Sequence, residues 1–333
     1  MKTIFYVAGK SGGHIIPALT LAQQQKTKEP TTIGIFSTDA QLDAQLIAPC
    51  AAISYHISLS LDKISLKNPV SLYKIFRALL TSLRTLRHYK PEKVISTGGL
   101  VSVPVCIAAR LLRIPFEVYE FNVEPGAAIK FLAPHAQTVH VCFEATRQHL
   151  SGNVVKTDYP VRYTEEQRIS QAQARERLQL PLHKKILLII GGSQGSRFFN
   201  VIAQQLIVQL SAEERTSLYV VHQAGVADAI DIREFYKESE TSSTVFDYSD
   251  AIALYYQAAD YVITRAGAGV LHELLFFNKA ALIIPLEVTS TSHQVANAQA
   301  CVQRDPDRWQ MIRQHELQHD DKLLYQLLRD KLF

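Results

Sequence analysis

Eleven short apolar runs punctuate the chain, at 2–8, 32–37, 51–57, 93–96, 115–120 and 137–142, then at 185–190, 217–222, 243–247, 260–264 and 280–284. Helical patterns of ten or more residues separate most of them, and turns rich in glycine follow several. Strands alternating with helices at this spacing predict parallel sheets covered on both faces. A length of 333 residues accommodates two such domains. Each half opens in the same way, with a strand running into a glycine loop: Gly9-Lys-Ser-Gly-Gly-His14 in the first and Gly191-Gly-Ser-Gln-Gly-Ser196 in the second. The expected fold is therefore α/β, with two Rossmann-like, doubly wound domains, 1–160 and 161–333, facing across a cleft. The polar run Thr164–Ala174 is the expected linker, and the last helical pattern, 320–332, is expected to pack back on the first domain. In such sheets ligands bind beyond the carboxyl ends of the strands, where the glycine loops fall.

Neither loop has the GxGxxG spacing of a dinucleotide fingerprint, and neither ends in the Lys-Ser/Thr pair of a triphosphatase loop. A third glycine turn is more informative: Arg265-Ala-Gly-Ala-Gly-Val-Leu-His-Glu273 follows the strand-like Tyr261–Thr264 and leads into a helix. Such a turn points backbone N–H groups at its ligand, which suits a phosphate. Glu273, one turn further on, can accept hydrogen bonds from vicinal hydroxyls such as those of a ribose. Phosphate donors and a diol acceptor this close together read as a nucleotide-sugar pocket; an ordinary strand–turn–helix with a surface Glu is the plainer alternative. His14 starts a helix directly after the first loop, where an imidazole can take a proton from an attacking hydroxyl. Asn122, after strand 115–120, and Gln294, in Ser292-His-Gln-Val-Ala-Asn297, can bond sugar or acceptor hydroxyls. Turn and cap chemistry accounts for such residues equally well taken singly.

The four cysteines, Cys50, Cys106, Cys142 and Cys301, are far apart, which fits buried thiols in a reducing compartment and not a disulfide frame or zinc site. The N-terminal apolar run is too short for a signal-peptide core, and no stretch approaches a bilayer span. Residues 1–160 carry 17 Lys/Arg against 10 Asp/Glu (net +7), and 161–333 carry 18 against 21 (net −3). This is too modest for nucleic acid, but it points the first half toward an anionic surface. Residues 63–91 hold seven Lys/Arg and no acid, with Leu72, Ile75, Phe76, Leu79, Leu80, Leu83 and Leu86 at i, i+3, i+4 spacing. That basic amphipathic helix either docks on anionic lipid or packs its stripe on the sheet.

Taken in order, GxxGGHxxPAL at Gly9–Leu19, GGSQGS, RAGAG and HQxxN at His293–Asn297 resemble the MurG family, glycosyltransferase family 28, over nearly the whole chain. Its members are UDP-N-acetylglucosamine transferases that complete lipid II in peptidoglycan synthesis. The resemblance implies a GT-B fold, peripheral at the cytoplasmic face of the bacterial inner membrane, with no metal and no cofactor. The first domain would take the undecaprenyl-linked muramyl-pentapeptide and the second UDP-N-acetylglucosamine (UDP-GlcNAc), with inverting transfer to the acceptor C4 hydroxyl. It implies that Ser11, Gly12 and Gly13 line the first loop with His14 as base. Asn122 matches the Asn after Glu-Gln, Arg162 the Arg of the Pro-Val-Arg turn, and Ser193 the serine near the donor phosphates. Ser249 aligns with the backbone that reads uracil. Ala268, Gly269, Val270, Leu271, His272 and Glu273 would line phosphates and ribose, and Gln294 would hold the sugar hydroxyls. The chain departs from the pattern where Leu100 and Val103 replace Tyr and Gly, Phe121 replaces Gln, Asp158-Tyr159 replaces Gly-Asn, Val270 replaces Thr, and Thr291-Ser292 replaces an acid. The rival readings are a GT-B enzyme with another lipid acceptor, a UDP-GlcNAc 2-epimerase, and a weakly active membrane scaffold. An oxidoreductase is disfavoured by the missing fingerprint.

Overall fold

The computed structural model describes residues 2–61, 69–192, 195–226, 228–287, 293–320 and 322–333. The chain divides into two compact units, Met1–Arg162 and Tyr163–Phe333. In the first, β1 (Lys2–Val7), β2 (Thr31–Thr38), β3 (Tyr55–Leu59), β4 (Lys93–Ser96), β5 (Phe116–Glu120), β6 (Thr138–Val141) and β7 (Val154–Lys156) form one parallel sheet in the order β3-β2-β1-β4-β5-β6-β7. Side chains alternate between its faces. Phe5 and Val7 join Phe36, Val94, Val118 and Val139 on one side, while Ile4 and Tyr6 join Ile33, Ile35 and Ile95 on the other. The helix Gly12–Lys28 covers the second side with Ile15, Ala18 and Ala22. Helices Pro69–Tyr89, Ser102–Leu111 and Ala127–Leu132 cover the first. Burial on both faces is why these strands read as nearly continuous apolar runs.

The second unit repeats the plan with β8 (Lys185–Ile190), β9 (Leu218–Gln223), β10 (Ser243–Phe246), β11 (Tyr261–Thr264), β12 (Ala281–Ile283) and β13 (Trp309–Met311), ordered β10-β9-β8-β11-β12-β13 and all parallel. Both sheets thus reverse direction beside their first strand, between β1 and β4 and between β8 and β11. The crevice at such a reversal is the usual ligand position.

Two expectations change. Thr164–Ala174 is no free linker: Ile169 N–H donates to Gln257 Oε1 (2.6 Å), Gln171 Nε2 to the carbonyls of Ala258 and Ala259 (3.2 and 3.1 Å), and Ala174 is buried. The final helix, Leu323–Leu332, sends Leu324, Leu328 and Leu332 into the core of the second unit, beside Phe199 and Leu206 of the helix Arg197–Gln209. The run read as 51–57 forms its strand at Tyr55–Leu59, and the three-residue strands β7 and β13 have no counterpart among the eleven apolar runs.

Candidate active site

In the first unit the loops after β1 and β4 meet at the sheet reversal. Ser11 is the N-cap of the helix Gly12–Lys28 in extended conformation, and its hydroxyl makes no capping bond. The carbonyl of Ser11 takes the N–H groups of His14 and Ile15, both at 3.1 Å, so the amides of Gly12 and Gly13 belong to the unpaired first turn. The Nδ1 of His14 lies 2.7 Å from the carbonyl oxygen of Thr97. A carbonyl only accepts, so Nδ1 carries a proton, and in the neutral ring this leaves the lone pair on Nε2, the form a general base needs. Thr97 is fixed in turn, its hydroxyl donating to the carbonyls of Val7 (3.3 Å) and His14 (2.9 Å). The ring approaches Gly98 so closely that a Cβ there would stand 2.8 Å from its Cε1, at a φ of +106°. Gly98 opens the glycine loop Gly98–Pro104 that the sequence places at the same sheet edge, whereas Thr97 is a part of the site that motif reading did not single out.

Beyond β5, the buried Glu120 organises the next loop. Its Oε1 accepts the backbone N–H and side-chain Nδ2 of Asn122 (2.9 and 3.1 Å), and its Oε2 accepts the N–H of Gly126 (2.9 Å). Asn122 is thus held by a carboxylate two residues before it. Phe121 is buried and meets Tyr159 edge to face, with centroids 5.1 Å apart, so two departures from the family pattern are in contact. Arg162 is exposed at the end of this unit.

In the second unit a cavity of about 250 Å³ lies at the reversal, lined by Gly191, Gly192, Gly195 and Ser196 after β8, by Thr264, Arg265, Gly267 and Val270 along the end of β11 and the turn after it, and by Leu286 and Gln294. Arg265 is 9% exposed and joins the two loops: Nη2 donates to Ser196 Oγ (3.0 Å) and Nη1 to the carbonyl of Ile284 (3.2 Å) and to Gln314 Oε1 (3.1 Å). Its guanidinium stacks over Phe199 at 4.5 Å. Among the described residues no carboxylate pairs with it, and burial lowers its pKa to about 10. At neutral pH it remains a cation, leaving net positive charge beside the cavity. Gly267 caps the helix Ala268–Phe276, and the amides of Ala268, Gly269 and Val270 form its unpaired first turn. Val270 presents an apolar side chain to the cavity.

Other expected donor residues fall differently. Glu273 is 8% exposed and accepts from the Tyr256 hydroxyl at 3.0 Å, an orienting partner the sequence did not disclose. Leu271 is a core side chain, and its N–H bonds the carbonyl of Gly267, so it brings no polar group to a ligand. His272 is also buried. Gln294 differs from expectation: its Oε1 accepts the N–H groups of Ala266 (3.2 Å) and Leu286 (3.0 Å), which leaves only its Nε2 hydrogens for a sugar. Ser249 is not in the cavity lining; its hydroxyl accepts from Ala251 N–H (3.1 Å) ahead of the helix Ile252–Ala258. Ser193, Thr291 and Ser292 lie outside the described residues. A wider hollow of about 560 Å³, lined by His183, Lys184 and Ser217 among others, sits at the amino ends of β8 and β9, the edge of the sheet away from the glycine loops. Among the described residues no three His, Cys, Asp or Glu are grouped to hold a metal ion.

The basic helix resolves into two faces. Ala78 and Leu86 are buried, and Ile75, Leu79 and Leu83 pack against the core. Val70, Leu72, Tyr73 and Phe76 are more than half exposed, with Arg77 lying 5.9 Å over the Tyr73 ring. Residues 62–68, which include Lys63 and Lys67 of the expected basic segment, are outside the described residues. No helix among the described residues is long and apolar enough to cross a membrane.

Two doubly wound units, each with glycine loops at its sheet reversal, give the chain the architecture of the GT-B class. The crystal structure of MurG from Acinetobacter baumannii shares that fold, with a TM-score of 0.79, 24% identity, and coverage of 100% of this chain and 91% of that one. The glycosyltransferase family 28 N-terminal domain matches residues 4–141 and the family 28 C-terminal domain residues 186–332. The chain belongs to glycosyltransferase family 28. Relatives from Thermosipho africanus and Bdellovibrio bacteriovorus are both named UDP-N-acetylglucosamine--N-acetylmuramyl-(pentapeptide) pyrophosphoryl-undecaprenol N-acetylglucosamine transferase. The first is 32% identical over 301 residues, covering 90% of this chain and 83% of the relative. The second is 30% identical over 321 residues, covering 95% and 87%.

Proposed function

We propose that the protein transfers N-acetylglucosamine from UDP-GlcNAc to the C4 hydroxyl of undecaprenyl-pyrophosphoryl-N-acetylmuramyl-pentapeptide, converting lipid I to lipid II. The observation that carries the mechanism is the His14 tautomer: Nδ1–H given to Thr97 leaves Nε2 as the proton acceptor. His14 Nε2 takes the proton of the C4 hydroxyl as its oxygen bonds to the anomeric carbon. The bond from that carbon to the UDP oxygen breaks on the opposite face, so the configuration inverts. Negative charge gathers on the departing diphosphate. The amides of the second glycine loop, the first turn of Ala268–Phe276 and the Arg265 cation are suited to stabilise it. Glu273, aligned by Tyr256, accepts from the ribose hydroxyls, and Gln294 donates through Nε2 to a sugar hydroxyl. The first unit takes the acceptor through the loop of Ser11, Gly12, Gly13 and His14 and through Asn122 in the loop after β5. Arg162 and Ser193 are assigned a donor role by the resemblance in sequence alone.

We infer a peripheral position on the cytoplasmic face of the bacterial inner membrane. Val70, Leu72, Tyr73 and Phe76, flanked by Lys74 and Arg77, support it, since exposed apolar side chains among cations are what an anionic lipid surface binds. The test is transfer of labelled N-acetylglucosamine from UDP to lipid I. Product that disappears in His14→Ala with donor saturating is expected. Absence of product alongside tight UDP-GlcNAc binding would point to another acceptor, and epimerised free UDP-sugar without acceptor would overturn the proposal.

A further inference from the structure

The loop that carries His14 is pinned from below by a carboxylate that the mechanism above does not use. Asp43, in the helix Gln41–Ile47, is fully buried, and among the described residues it forms no ion pair. It is satisfied by N–H and O–H donors instead. The Lys10 amide reaches both of its oxygens (3.1 and 3.2 Å), and Oδ2 also accepts the Thr38 amide (3.0 Å) and the Thr38 hydroxyl (2.6 Å). A carboxylate away from water persists when such donors replace its hydration, and each bond to it is stronger than a neutral one. The residue it grips is unusual, because Lys10 holds a φ of +71°, a left-handed conformation costly for any residue with a Cβ. Gly9 is packed in the same place, where a Cβ would stand 2.9 Å from Thr38 Cγ2 and 3.0 Å from Asp43 Oδ2. The Lys10 turn redirects the chain from β1 into the helix whose first residues are the Ser11 cap, Gly12, Gly13 and His14.

We propose that Asp43 is a positioning residue for transfer. By holding the Lys10 amide it fixes the left-handed turn, and through that turn it sets the Ser11 hydroxyl and the His14 ring relative to the acceptor. The proposal rests on the reading of His14 as the base. Asp43→Asn is the direct perturbation: it keeps the volume, but one oxygen becomes an NH2 group that faces the Lys10 or Thr38 amide, donor against donor.

The experiment measures kcat and the KM for UDP-GlcNAc in Asp43→Asn, Asp43→Asn with Lys10→Gly, and Thr38→Val, with amide hydrogen exchange on the same proteins. A loop displaced by a fraction of an ångström lowers kcat about 10- to 100-fold, while the KM for the donor, bound by the other unit, stays within about twofold. Adding Lys10→Gly restores kcat at least about fivefold, since glycine takes the left-handed turn unaided. A merely structural role gives no such rescue. Thr38→Val, which removes one O–H donor, gives a smaller loss in the same direction and remains readable should Asp43→Asn fail to accumulate. Asp43→Asn with kcat within twofold of wild type, or without rescue by Lys10→Gly, overturns the proposal. If the wild-type protein makes no lipid II, the functional reading fails, and exchange still decides the role of Asp43: the amides of Lys10, His14 and Ile15 exchange faster in Asp43→Asn if it fixes the turn, and at the wild-type rate if it does not.

Discussion

Gly98→Ala tests the geometry on which the His14 assignment depends. The added methyl would sit 2.8 Å from His14 Cε1 and 2.9 Å from Nδ1. Carbon atoms in contact settle at about 3.5–4.0 Å, so the ring must retreat by roughly 0.7 Å or the loop must move with it. The Nδ1–Thr97 bond begins at 2.7 Å, and such bonds weaken beyond about 3.2 Å, so a retreat of that size loses the contact that selects the tautomer. Misplacement by less than an ångström costs up to about 100-fold in rate, and we expect kcat to fall by about that factor. Alanine at a φ of +106° adds strain of about 1–3 kcal/mol. For a unit of this size that is a melting temperature lower by several degrees, about 2–4 °C per kcal/mol. The proposed mechanism assigns UDP-GlcNAc to the other unit, so its dissociation constant should stay within about twofold. The assay is initial-rate transfer to lipid I with the donor saturating, with thermal unfolding and donor titration on the same preparation. A folded Gly98→Ala enzyme that binds donor normally and turns over within threefold of wild type would refute the argument that Gly98 and Thr97 fix the base.

Tyr256→Phe removes the hydroxyl bonded to Glu273, and a hydrogen bond to a charged group is worth about 1.5–3 kcal/mol. Donor affinity should fall about tenfold or more by calorimetry with kcat nearly intact, and an unchanged affinity would take Tyr256 out of the donor site. His222 is fully buried, and burial lowers its pKa to about 4, below the unfolded value near 6.5. In that window the unfolded chain binds a proton the folded one refuses, so stability falls with acidification, by about 2 kcal/mol between pH 7 and pH 5. Urea unfolding of His222→Asn across that range should show a correspondingly shallower slope than wild type; identical slopes would contradict the assignment. Changing Lys74, Arg77 and Arg84 together to Glu should release the protein from vesicles rich in anionic lipid while leaving donor binding untouched. Retention on those vesicles would move the membrane surface elsewhere.

The sheets were legible because their strands are buried on both faces: Lys2–Val7 and Lys185–Ile190 carry apolar runs that no helix of this length would place in a row. β7 and β13 escaped notice because three residues, Val154–Lys156 or Trp309–Met311, are too few to display a period of two. Only the neighbouring strand defines them. Within the site, residues announced by a glycine motif were found in sequence, whereas their supports were not. Thr97 holds His14 from 83 residues away and Tyr256 holds Glu273 from 17, contacts set by sheet order alone. Gln294 shows the converse limit, since its residue type suggested bonds to sugar hydroxyls and the fold had already claimed its oxygen for Ala266 and Leu286. The amphipathic stripe of Pro69–Tyr89 is divided, with Ile75, Leu79, Leu83 and Leu86 facing the core and Leu72 and Phe76 left outside.

The edge-to-face contact of Phe121 with Tyr159 ties the loop after β5 to the turn before Arg162. Aromatic pairs of this geometry couple by about 0.5–1.5 kcal/mol beyond the area they bury, and the effects of substituting residues in contact do not simply add. A chain with only one of the two rings would hold half a contact, with a buried aromatic lacking its neighbour or a polar group pressed against an apolar face. The permissible residue at 121 is therefore conditional on the residue at 159. Judged one position at a time, the loop after β5 and the turn before Arg162 look like two separate erosions of the family pattern. Joined by their rings, the two positions form one energetic unit in this chain.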